Sequence, residues 1–279
     1  MRIIPTDAIT DAVARLFRDA NIRLPSDIRA AVDAAIESEP WDDARRTLKT
    51  IRENADIAES RGVPICQDTG MACVFIDIGI DAHIDGDVYA AVNDGVARGC
   101  AEGYLRASIV RDPLRRENTG DNTPAAVYID LVPGDKIKIT VAPKGFGSEN
   151  MSRVKMLRPA DGVAGLVDFV VSTVESAGGS ACPPVVVGVG VGGSFDKAAL
   201  LAKRALLRGL DEPNPDPYYA RLERELLEKI NALGIGPMGF GGATTALGVS
   251  ILSMPTHIAG LPAAVNISCH VTRHLSEVL

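Results

Sequence analysis

The run PPVVVGVGVGGSFDKAALLAKRALLRG, residues 183–209, constrains the fold more than any other stretch of this chain. Its first half carries no polar side chain, so it reads as a buried strand that enters a glycine loop, and the second half reads as a helix ending at Gly209. Gly188, Gly190 and Gly193 fit GxGxxG between strand and helix, the setting of a dinucleotide fingerprint. That fold needs a second strand ending in Asp or Glu about 20 residues further on. Here the helix runs instead into the proline-broken segment DEPNPDP around Asp211 and Glu212. A phosphate loop fails as well, because Ser194 and Phe195 stand where Lys and Ser/Thr are required. What survives is a glycine loop at a helix start, which either favours an anion or allows close packing, and packing is the plainer reading.

The rest of the chain supplies what such a strand can pack against. Residues 1–60 read as helical, with apolar stripes Ile9, Val13, Leu16, Phe17, then Ile28, Val32, Ala35, Ile36, then Ala44, Leu48, Ile51, Ala55, Ala58, and with Thr6 and Ser26 as caps. Beyond them MACVFIDIG is strand-like, DVYAAVNDGVARGC helical, and AAVYIDLV and KIKITVAP look like a hairpin turned by PGD. These patterns predict an α+β fold, a helical N-terminal region against mixed or antiparallel sheet, with residues 1–279 taken as one domain. With 46% hydrophobic and 23% charged residues the composition is that of a globular protein. The net charge of −7 argues against a surface for nucleic acid or an anionic membrane. No stretch approaches the roughly 20 apolar residues of a membrane span, and the N-terminus lacks the apolar core of a secretory signal. Five cysteines is an odd number for a disulfide framework, so a cytoplasmic location with reduced thiols is expected.

Three of those cysteines lie at loops: Cys66 in PICQDTG, Cys182 in SACPPVVV and Cys269 in NISCHVTRH. Their wide separations match no zinc or ferredoxin spacing, and on spacing alone a metal is the lesser reading. The run Cys-Gln-Asp-Thr between Pro64 and Gly70 places four polar side chains on one turn; without context it reads as a buried thiol beside an Asx-type turn. Cys73, in a strand, and Cys100, at a helix end, read as buried thiols, and His83 as a surface residue.

Longer segments carry a resemblance. PICQDTG, GYLRASIVRDPLRRENTGDNTPAAVYIDLVPGDKIKITVAPKGFGSENMSRVKML, VVGVGVGGSFDKAALLAKRAL, GIGPMGFGGATTALGV and THIAGLPAAVNISCH together resemble the alpha subunit of the two-subunit class I fumarate hydratase and L-tartrate dehydratase family, from about residue 40 onward. The resemblance implies an oxygen-sensitive hydro-lyase whose [4Fe-4S] cluster is held by three cysteines, matched by Cys66, Cys182 and Cys269, with one iron lacking a protein ligand. The loops bearing them are then expected to converge on one open site. It also implies Asp68 and His257 as the acid–base pair, and Gln67, Arg106, Lys144, Gly145 and Gly147 as substrate-binding positions. Phe146 departs from the glycine common in single-chain members, which leaves the aligned glycine open between Gly145 and Gly147. Arg111, Arg115, Arg116 and Asn118 form a polar run that could line the site or an interface.

The activity implied is interconversion of fumarate and L-malate, with L-tartrate dehydration to oxaloacetate as the alternative. Single-chain members carry further substrate-binding groups and the C–H base well beyond the last cysteine, so a beta subunit in an α2β2 assembly is expected to supply them. A non-catalytic anion-binding or scaffold homologue is the rival from another class, and the joint presence of Cys66, Asp68, Arg106, Cys182, His257 and Cys269 argues against it.

Overall fold

The computed structural model describes residues 2–279 and has an α+β architecture of mixed sheets and helices. The chain folds into two compact units, each drawn from separate stretches of sequence. Among the described residues the first comprises 2–25, 54–146 and 273–279, and the second 26–53 and 147–272.

Unit 1 begins with strand β1 (Arg2–Pro5) and helix α1 (Thr6–Ile22). Thr6 does not cap α1 with its side chain. The hydroxyl instead donates to the carbonyl of Asp85 on β3 (Ala82–Asp85), which pairs in parallel with β1. The C-terminal part of α3 (Asp42–Arg61) also belongs here, since the boundary falls between Glu53 and Asn54. A four-stranded sheet follows, formed by β2 (Met71–Gly79), β4 (Ala126–Val132), β5 (Ile137–Lys144) and β10 (Leu275–Val278), in the order β10-β5-β2-β4. Helix α4 (Val88–Glu102) starts where Asp87 accepts the N–H groups of Tyr89 and Ala90, and it packs with α1 over the sheet. Ile9, Val13, Phe17, Val92, Val96, Val74, Ile76, Ile137 and Ile139 fill the layer between them.

The expected hairpin of AAVYIDLV and KIKITVAP does not form. β2 lies between β4 and β5, parallel to the former and antiparallel to the latter. The cause is β2 itself, buried along Ala72–Ile76 and therefore central in the sheet. The PGD turn passes across its end: Gly79 donates to Lys136 O, Ile80 to Val132 O and Asp81 to Gly134 O.

Unit 2 contains α2 (Ser26–Ser38), the first part of α3, the short α5 (Phe146–Glu149) from Gly147 onward, β6 (Arg153–Leu157), α6 (Gly162–Ala177), β7 (Val185–Gly192), α7 (Phe195–Ala205), α8 (Pro217–Asn231), β8 (Ala246–Met254) and β9 (Leu261–Ser268). Its sheet runs β6-β9-β7-β8, with β7 parallel to β8 and antiparallel to β9. One face places Val187, Val189, Val265, Ile267 and Ile251 against Val170, Val174, Leu226 and Ile230 of α6 and α8. Each such side chain contributes about 1.5–3 kcal/mol on burial.

The other face is lined by small residues so that α7 can lie almost on the backbone. A Cβ on Gly188 would stand 2.1 Å from the carbonyl oxygen of Ala202, and one on Gly190 2.1 Å from that of Ala198. The glycines of the opening motif are therefore the floor for α7. The helix ends at Ala205, short of Gly209.

Candidate functional site

In unit 1 the loop 64–70 is held by its own backbone and by distant segments of the chain. Cys66 Sγ accepts the N–H of Asp68 at 3.4 Å and lies 3.3 Å from Gln67 Oε1. The Asp68 carboxylate accepts Gly70 N–H at 3.1 Å on Oδ1 and Phe146 N–H at 2.8 Å on Oδ2. The first bond makes the Asx turn expected of the isolated motif, and the second fixes the carboxylate against the end of β5. The Asp68 carbonyl accepts a bond of 2.7 Å from the Arg273 guanidinium. Asp68 is half-buried, Gln67 exposed, and Cys66 half-buried rather than buried.

Gly145 and Gly147 differ in this setting. A Cβ on Gly145 would approach Asp68 Oδ2 to 3.1 Å, whereas one on Gly147 would meet only Ser180 O at 3.9 Å. Of the two, Gly145 is the glycine that abuts the carboxylate. Lys144, at the end of β5, is buried.

Arg106 is tied to the same loop through its main chain. Thr69 Oγ1 accepts Arg106 N–H at 2.9 Å and donates to Arg106 O at 3.3 Å. The Arg106 side chain is exposed and forms no ion pair among the described residues. Arg111, Arg115, Arg116 and Asn118 lie on an exposed arm braced by Asn118 to Ala107 O and by Arg111 N–H to Glu117 O.

In unit 2, Cys182 follows a short 3₁₀ turn and has left-handed backbone angles, φ 53° and ψ 62°. His270, next to Cys269, bonds to the Cys182 carbonyl, so the loops of those two cysteines are joined. His257 lies apart from this junction, exposed on the loop between β8 and β9, where its Nδ1 accepts the N–H of Ala259 at 3.2 Å. Thr256 on that loop donates to Gly193 O at 2.9 Å, and Phe195, Met254 and Ile258 are exposed beside it.

The segment GIGPMGFGGATTALGV also finds a role. Met238 N–H donates to Pro183 O at 2.7 Å, Gly239 rests on Gly179, and Val185 N–H donates to Thr245 O. The glycine-rich segment is thus a buttress for the Cys182 turn. Glu39, buried, holds it in turn, accepting the N–H groups of Ala243 and Thr244 at 2.9 Å and the Thr244 hydroxyl at 2.7 Å. A second network links Lys203 to Glu149, and Glu149 and Ser152 to Asn266 on β9, the strand that leads to Cys269.

These supports were not among the sequence expectations. Thr69, Arg273, Glu39 and Asn266 act through long-range pairings that leave no periodicity, whereas His270, beside Cys269, could be read as either supporting the site or facing solvent.

As donors for a cluster, the thiols sort cleanly. Cys66, Cys182 and Cys269 form no disulfide and are half-buried, while Cys73 and Cys100 are buried. Burial, with the charge of Asp121 adding to it, pushes the Cys100 thiol up, which keeps it protonated and inert. The Cys66 sulfur already accepts a main-chain N–H, as cluster thiolates do. Cys66 belongs to unit 1 and the other two to unit 2, and among the described residues no three His, Cys, Asp or Glu side chains form a metal-holding group. The fit therefore rests on the chemistry of each donor.

A cavity of about 280 Å³ in unit 2, walled by Leu210, Asn214, α8 and β8, is organised around the Arg208–Glu223 pair at 2.5 Å, with Glu223 also accepting Asn214 and Ile251 N–H. That pairing is structural support for the proline-broken loop.

Comparison with known proteins adds the remaining evidence. The profile of the fumarate hydratase (Fumerase) family matches residues 10–278. A chain of Methanocaldococcus jannaschii provisionally named L(+)-tartrate dehydratase subunit alpha is 46% identical over 272 residues, 95% of each chain. The L(+)-tartrate dehydratase subunit alpha of Escherichia coli K12 is 32% identical over 269 residues, covering 95% of this chain and 88% of its own length, and the Shigella sonnei subunit matches to the same extent. On a match that spans nearly all of its length, the chain belongs to the fumarate hydratase family.

Proposed function

We propose that this chain is the alpha subunit of an iron–sulfur hydro-lyase that reversibly removes water from a C4 hydroxy-dicarboxylate. The observation that carries the reading is the Asp68 carboxylate, held on both oxygens by main-chain N–H groups two residues from the Cys66 sulfur and abutting Gly145. A [4Fe-4S] cluster bound by Cys66, Cys182 and Cys269 would supply a Lewis acid toward the hydroxyl that departs. Asp68 then exchanges a proton with that hydroxyl, and His257 is its proposed acid–base partner. Gln67 and the exposed Arg106 guanidinium bind a substrate carboxylate, Arg106 in the bidentate manner that planar guanidinium favours. Lys144, Gly145 and Gly147 form the loop on which the substrate lies.

Two substrates fit this chemistry. The family profile supports fumarate and L-malate, and the names of the relatives support L-tartrate. Their names as alpha subunits also support a beta partner, for which an α2β2 assembly is proposed. The exposed His257 loop, with Phe195, Met254 and Ile258 beside it, is consistent with a surface that a second subunit covers. No described helix is long and apolar enough to cross a membrane.

The deciding experiment is anaerobic reconstitution with iron and sulfide, with and without a co-expressed beta subunit, followed by assays on malate, fumarate and L-tartrate. Cys66→Ser, Cys182→Ser and Cys269→Ser should each lose iron and sulfide, while Cys73→Ser and Cys100→Ser keep them. Equal retention across all five variants would remove the cluster assignment.

A further inference from the structure

Cys182 and Cys269 lie on different loops of unit 2, and one residue joins them. The main-chain N–H of His270 meets the carbonyl oxygen of Cys182 at 3.3 Å, and its ring Nδ1 meets the same oxygen at 2.9 Å. A carbonyl oxygen can only accept, so Nδ1 carries a proton. The residue that receives both bonds is in the left-handed region, φ 53° and ψ 62°. A side chain other than glycine stays there only when its surroundings over-determine it. Cys182 N–H also donates to Gly179 O at 3.1 Å and Met238 N–H to Pro183 O at 2.7 Å, and neither of these two bonds reaches the Cys269 loop.

Resting on the cluster reading above, we propose that His270 is a positioning residue whose Nδ1–H locks the Cys182 carbonyl and thereby sets the direction of the Cys182 thiol relative to Cys269. Two thiolates that share one inorganic group need their separation defined before the group arrives, or its binding must also order the loops. Without the Nδ1–H bond the Cys182 carbonyl keeps the 3.3 Å main-chain bond from His270, and the left-handed backbone of Cys182 loses one of the contacts that hold it. In this role His270 neither ligates nor exchanges a proton; it acts through the hydrogen bond to the Cys182 carbonyl.

Asparagine and glutamine separate this from a general packing role. The amide nitrogen of an asparagine can stand where Nδ1 stands, whereas that of a glutamine reaches toward the Nε2 position. The full chain, as wild type, His270→Asn and His270→Gln, is reconstituted anaerobically with ferrous iron and sulfide and challenged with a chelator, and the iron and sulfide kept per chain are followed with time. His270→Asn should lose iron within about twofold of the wild-type rate and His270→Gln about tenfold faster, the worth of one lost hydrogen bond. Equal behaviour of the two variants, whether wild-type or impaired, would overturn the proposal. If wild-type protein holds no cluster, the cluster reading fails. The tautomer of His270 in the apo chain, read by ¹⁵N NMR, then decides this inference by itself, as it does if the variants do not fold. A proton on Nδ1 supports it, and an Nδ1 that carries none overturns it.

Discussion

Asp68 is a structural brace, and the proposed chemistry makes it a reacting group as well. Its two oxygens hold Gly70 and Phe146 N–H, yet it remains half-buried beside an exposed Gln67. Replacing it with Asn keeps the shape, removes the exchangeable proton and sets an amide nitrogen against one of the two donors. Turnover should fall about 10²- to 10⁴-fold with cluster content preserved. A variant with near-normal kcat across the pH range would end the proton role. Arg106→Ala should instead raise KM with a smaller change in kcat, since its main chain is what Thr69 holds and its guanidinium is unspent. At this scale the sequence was informative about identity and silent about support. The Asx turn could be read from Asp68 and Gly70 alone, because it is local. The bonds from Arg273 and Phe146 could not, because they depend on where the chain returns.

Elements follow the same division. The buried stripes of α1 and α3 and the all-buried strand β7 were legible, since periodicity reports burial directly. The order of β4, β2 and β5 was not, because a turn motif reports reversal of the chain without saying whether another strand sits between its arms. Close approach of α7 to β7 gives a sharp test. Gly190→Ala places a methyl 2.1 Å from a main-chain oxygen that cannot move aside, and should cost about 2–3 kcal/mol or more in chemical denaturation. An unchanged denaturation midpoint would contradict the packing. Glu39 gives a pH test. Desolvation would raise its pKa, but the hydrogen bonds from Ala243, Thr244 and Trp41 outweigh it and hold the carboxyl below its usual range. A depressed carboxylate stabilises the folded state above its unfolded pKa, and that contribution disappears as pH falls through the folded value. Acid unfolding of wild type should therefore be steeper than that of Glu39→Gln, which starts less stable at neutral pH. Parallel pH profiles for the two would show that the anion is not what holds the glycine segment.

For the molecule as a whole, the proposed chemistry is incomplete in this chain. In that proposal Asp68 and His257 would serve the hydroxyl side of a trans elimination, and the carbon-bound proton needs a base on the opposite face. Arg106 and the Lys144 loop would offer one anchor for a substrate that has two carboxylates. Alone, the chain should bind a cluster and show little or no dehydratase activity, and a beta subunit should raise kcat by orders of magnitude. Full turnover by the isolated chain, with a partner excluded by mass spectrometry, would refute that division. Unit 1 has a different kind of incompleteness, in time. Its sheet takes β5 from the middle of the chain and β10 from residues 275–278, and the Asp68 carbonyl is held by Arg273. Unit 2 has all of its strands by residue 268. A ribosome that has finished unit 2 still leaves unit 1 with an unpaired edge and a loose Asp68 loop, so the half that is started first during synthesis is the half that closes last.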